Sequence, residues 1–79
     1  MKVYILLDCS VDGNGGVPVS VCGTVGEALH HADLLSMDYG YDVSFDHVVV
    51  VMEMGDLYAV DEPVQLSLSE ARKLEREEA

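Results

Sequence analysis

Apolar and polar positions alternate over residues 2–9 (KVYILLDC), the period of a β-strand whose successive side chains point to opposite faces. Val3, Ile5, Leu7 and Cys9 share one face, which is expected to meet the core, while Tyr4, Leu6 and Asp8 share the other. Residues 10–16 (SVDGNGG) are turn chemistry, and residues 17–22 (VPVSVC) alternate again, so a hairpin is predicted. Pro18 has no N–H to give a ladder and assigns this second strand to a sheet edge. Thr24-Val25-Gly26-Glu27 has the capping-box pattern, with Thr24 as N-cap and Glu27 reaching back to its amide. The helix that follows is predicted to run to about Met37, burying Val25, Ala28, Leu29, Ala32, Leu35 and Ser36, with Gly40 as its stop. Residues 45–54 (FDHVVVVMEM) form the strongest strand, apolar on both faces of its middle. Gly55-Asp56 predicts a turn, residues 57–60 (LYAV) a fourth strand, and Pro63 its end. Ser67-Leu68-Ser69-Glu70 caps a short terminal helix whose alternating charges predict a mostly solvated surface.

This order, ββαββ with a final helix, predicts an α+β fold. A helix joining the second and third strands makes them parallel, through a right-handed crossover. The two most apolar strands belong in the middle. The expected architecture is a four-stranded mixed sheet in the order 2-1-3-4, a split βαβ arrangement with one packed helix and a short C-terminal helix. Residues 1–66 form the single domain, and residues 67–79 a helical appendage. The second sheet face then needs a cover from the terminal segment, a second copy or a partner.

Composition changes the picture chiefly through charge. The 79 residues carry 15 acids against 4 bases, a formal net charge of -11. Direct nucleic-acid binding and anionic membrane surfaces both need Lys and Arg and are excluded on that ground. An apolar share of 49% excludes a disordered acidic tail. No apolar run is long enough for a membrane span or a signal-peptide core, so a cytoplasmic protein is expected. Cys9 and Cys22 are expected to be reduced thiols on opposite sheet faces.

Between Val3 and Ala71 there is no Lys or Arg, yet twelve Asp and Glu. Spread over a span of roughly 30 Å, such a charge is on the order of half the density of duplex DNA. The predicted topology gathers Asp8, Asp12, Asp38, Asp42, Asp46, Asp61 and Glu62 at one edge, where four elements begin or end. Within that edge lies Asp38-Tyr39-Gly40-Tyr41-Asp42. Tyr gives rigid contact area, and Asp accepts bidentate Arg, so this edge is the candidate partner-binding site, with Tyr39 and Tyr41 at its centre.

Catalytic and metal chemistry find little support. Residues 8–13 (DCSVDG) copy the first half of a calcium loop, but its twelfth position is Val19, where a bidentate Glu is required. His30, His31 and His47 lack zinc spacing and read as ordinary surface histidines. Gly13, Gly15 and Gly16 precede a strand rather than a helix, so no phosphate loop is expected. No Ser, Cys and His arrangement has a nucleophile–base spacing. The expectation is no enzyme activity, no cofactor and no metal.

The opening MKVYILL strand, the TVGEALHHADLL helix, the VVVVMEM strand and the missing bases together give a pattern that resembles the anti-CRISPR proteins. The resemblance is specifically to the short acidic inhibitors of type I (Cascade) systems, and within these best to an inhibitor of type I-C. It implies a phage-type, non-enzymatic protein in the cytoplasm of an infected or lysogenic host. Such a protein binds a basic, DNA-contacting surface of a Cas subunit, in the manner of a DNA mimic, and blocks target DNA. The alternative is a small homodimeric structural or regulatory domain that pairs through its uncovered sheet face, with acidity serving solubility alone. Monomer and homodimer are both open at this point.

Overall fold

The computed structural model describes residues 1–10, 16–56 and 58–78. Four strands, β1 (Lys2–Asp8), β2 (Val17–Cys22), β3 (His47–Glu53) and β4 (Val64–Ser67), form one sheet in the order β2-β1-β3-β4. Helices α1 (Val25–Tyr39) and α2 (Leu68–Glu78) pack on it, and a single 3-10 turn (Val43–Phe45) leads into β3. The expected strand order holds, and β2 and β3 run in the same direction. Because β1 lies between them, every neighbouring pair is antiparallel rather than mixed.

Both α1 caps follow from the sequence. Thr24 Oγ1 accepts the Glu27 amide at 3.1 Å. The Glu27 carboxylate takes the Thr24 hydroxyl instead of its amide. Gly40 ends the helix with φ of 78°, a left-handed conformation that glycine adopts without strain, and its N–H reaches Ser36 at 2.9 Å. The Ser67–Glu70 box is reciprocal, with bonds of 3.0 and 3.1 Å.

The fourth strand is Val64–Ser67 and not the expected one, of which residues 58–60 form no strand and Leu57 lies outside the described residues. The chain folds back at once after β3, with Met54 bridged to Ala59 and the Val60 amide on the Glu53 carbonyl at 2.9 Å. Asp61, Glu62 and Pro63 then loop out, and pairing resumes with Val64 opposite Val51. Pro63 therefore precedes β4 rather than ending a strand.

The sheet presents to its helices the face opposite to the one expected. Tyr4, Leu6 and Val49 are buried with Val25, Ala28, Leu29 and Ala32 of α1, Val43 of the 3-10 turn, and Leu68 and Ala71 of α2. The alternate positions, Val3, Ile5 and Leu7 of β1 with Val48, Val50 and Met52 of β3, are half-buried, and Val21 beside them on β2 is exposed. Since β1 and β3 are apolar on both faces, periodicity alone does not choose between them. Helix α2 also differs from the expected appendage at residues 67–79. It lies beside α1 on the same sheet face, puts two residues into the core, and ties Arg72 to Asp33 of α1 at 3.0 Å. No helix among the described residues is long and apolar enough to cross a membrane.

The exchanged faces reverse the two thiols. Cys22 is buried opposite Tyr4, and Cys9, just past β1, is exposed. A thiol-reactive reagent is therefore expected to modify Cys9 quickly in the native protein and Cys22 only on unfolding. Mass mapping that finds Cys22 modified first contradicts this placement.

Candidate functional site

One end of the molecule collects the end of β1, the end of α1 and the entry to β3. Its construction starts at Gly40, which turns the chain out of α1. Ser36 Oγ then accepts the Val43 amide at 3.0 Å, and the Val43 side chain plugs fully into the core. That anchor leaves Tyr41 and Asp42 outside. Asp42 Oδ1 accepts the Ser44 amide at 3.0 Å and starts the 3-10 turn. The turn breaks strand alternation, so Phe45 points into solvent, 93% exposed, while His47 points inward, 2% exposed.

Asp46 sits between these opposites and is held from two sides. The Tyr41 hydroxyl donates to its Oδ2 at 3.0 Å, and His47 Nδ1 lies 2.6 Å from its Oδ1. A hydrogen bond from imidazole to a carboxylate needs the proton on Nδ1, which sets the tautomer of a neutral His47. His47 Nε2 is then buried without a partner among the described residues, a cost of about 1–3 kcal/mol. Tyr41 stacks on Tyr39, with ring centroids 5.9 Å apart. Asp8 completes the end from β1, accepting both the amide and hydroxyl of Ser10.

Of the residues expected to form the site, Asp8, Asp38, Tyr39, Tyr41, Asp42 and Asp46 come together at this end. Asp61 and Glu62 do not. They follow Val60, which is bonded to Glu53 at the far end of β3, so they lie with Lys2 and Glu53. The cause is the corrected fourth strand. Asp12 lies outside the described residues. Two members of the site were missed. Phe45 read as the first residue of a buried strand, and His47 as a surface histidine; the only available signal was Asp42-Val43-Ser44, a cap-and-turn pattern directly before them.

The electrostatics of this end favour a cation. The negative end of the α1 dipole points here, with Asp38 and no base in the last turn. Each acid so placed costs about 0.3–1 kcal/mol in the free protein. The Ser10 hydroxyl and amide hold the Asp8 carboxyl below its usual range, and the Ser44 amide does the same for Asp42. Since folding lowers these two values, the stability they add is present above the ordinary carboxylate range and lost as pH falls through the lowered folded values. The hydrogen bond to Asp46 pushes the Tyr41 phenol up. Arg72, whose field reaches Asp42, is paired to Asp33.

A shallow groove of about 410 Å³ between β2 and α1 opens onto this end through Asp38, lined by Val19, Ser20, His31, Leu34 and Leu35. Behind it, Cys22 Sγ lies 3.3 Å from His31 Nδ1, a proximity that sequence spacing did not suggest. Cys22 is buried, 4% exposed, and does not line the groove. Asp8, Asp46 and His47 form a cluster of metal-ligand type, their donor atoms within 4.8 Å of one another. The His47 atom facing Asp46 is the one that carries the proton.

No protein-family model matches this chain, nor does any curated protein or solved structure.

Proposed function

We propose that the chain is a non-enzymatic binding protein whose acidic, aromatic end covers a basic, DNA-contacting protein surface. The partner is a crRNA-guided type I (Cascade) complex, type I-C by the resemblance noted in the sequence, and the effect is to block target DNA. The observation that carries this reading is the composition of the end itself. Asp8, Asp38, Asp42 and Asp46 surround three exposed aromatic rings, Tyr39, Tyr41 and Phe45. A merely solvated surface has no use for an aromatic side chain 93% in water, whereas interface anchors are commonly aromatic. Three of the four carboxylates are already oriented by hydrogen bonds, which lowers the entropy lost when Arg or Lys docks.

The test is competition. Purified, crRNA-loaded type I-C Cascade is mixed with labelled target DNA, and the chain is titrated in at low and at moderate salt. The reading expects DNA to be displaced, with displacement weakening as salt screens the ion pairs. Unchanged DNA binding at saturating chain overturns the assignment of this partner.

A further inference from the structure

We propose that the open face of the sheet is the docking surface for a second copy of this chain. Both helices pack on one side of the sheet, and the Cα envelope measures only 38 × 34 × 16 Å. The other side presents Val3, Ile5, Leu7, Val48, Val50 and Met52, with Val21 on one flank and the uncharged Gln65 and Ser67 of β4 on the other. An antiparallel sheet with one wet face ordinarily places polar residues there. Among the described residues, no strand position on this face is charged, in a chain with 15 acids. The charged residues of the two central strands, Lys2, Asp8 and Glu53, all take the alternate positions.

That exclusion identifies the occupant. A basic partner finds no acid here to pair with, whereas another copy brings the same neutral, apolar patch, as an isologous two-fold contact requires. Two such sheets stack about 10 Å apart, side chains interdigitated. Four strands at about 4.8 Å spacing and up to seven residues long give roughly 450 Å² of flat area per copy, or roughly 900–1,000 Å² for the pair. That is the lower limit for a specific interface, so the dimer is a reversible one.

Charge sets its response to salt. Each copy carries a net charge of -11, so the copies repel, and screening strengthens the dimer. Binding through the acidic end responds with the opposite sign. The two surfaces are separate, and either reading survives failure of the other.

Sedimentation velocity on the full chain, from about 5 to about 500 µM in about 50 and about 500 mM salt, tests the proposal. Dimer is expected to increase with concentration and to appear at lower concentration in the higher salt. Val21→Glu, at a position 66% exposed and therefore harmless to the fold, should raise the midpoint concentration about tenfold or more, with circular dichroism unchanged. Val64→Glu adds the same charge on the helix side of the sheet, where Val64 is 55% exposed, and should dimerise nearly as the parent does. A parent chain that stays monomeric throughout overturns the proposal. So does a dimer that weakens with salt, or one that both variants disrupt equally.

Discussion

Asp38→Lys combined with Phe45→Ala should reduce affinity for type I-C Cascade by about thirty-fold or more while leaving the melting temperature nearly unchanged. The pair is chosen because the structure separates acids that hold the fold from acids that do not. Asp42 caps the 3-10 turn, Asp46 carries Tyr41 and His47, and Asp8 holds Ser10, so reversing any of them disturbs the local chain. Asp38 lies on the exposed side of α1 near its C-terminus, where a lysine complements the dipole. Phe45, at 93% exposure, has almost no packing to lose. Asp56→Lys, at the opposite end of β3, removes the same charge and should change affinity far less. Equal losses from both ends would mean a diffuse field, and a doubly substituted chain that still displaces target DNA would sink the site.

The second large effect concerns α2. Leu68→Ala is expected to destabilise the fold by about 2–5 kcal/mol, since the side chain is 1% exposed among core residues of α1 and the sheet. A domain of this length has only about 4–12 kcal/mol of stability in total, so the variant is expected to unfold in part near physiological temperature. Leu34→Ala, at 48% exposure on α1, should cost well under 1 kcal/mol and serves as the comparison. Urea unfolding followed by circular dichroism measures both. A Leu68 variant within about 0.5 kcal/mol of the parent would mean that α2 is dispensable after all.

What was legible in the sequence is what local chemistry decides. The bounds of β2, the Thr24 cap, the Gly40 stop and the Ser67 box depend on residues a few positions apart, and each stands where it was expected. The strand order followed from two further facts, that a helix connection needs a parallel return and that the two most apolar strands belong in the middle. What failed depended on tertiary choice. Residues 57–60 look more strand-like than Val64–Ser67, yet of the described ones only Ala59 and Val60 meet the end of β3, and ladder pairing resumes at Val64. Asp61 and Glu62 were misplaced by that single error. The inverted faces of β1 and β3 have another source, since Val, Ile and Leu stand at both parities and only the helices decide between them. Phe45 and His47 were exchanged because one 3-10 turn resets the alternation between Val43 and Val49.

The edges of the sheet decide how far such a molecule can assemble. On β2, Pro18 offers no N–H, and the register shifts between Leu6 and Leu7 of its neighbour, leaving Val19 without a partner of its own. On the other side, β4 is only four residues long and Pro63 stands directly before it. Neither edge is a good template for another strand. A sheet that can stack through its face but cannot lengthen through its edges has no direction in which to polymerise. When acid near the isoelectric point of about 4.2 removes the charge that keeps copies apart, the solid that separates is expected to be amorphous and soluble again on neutralisation, not a cross-β fibre.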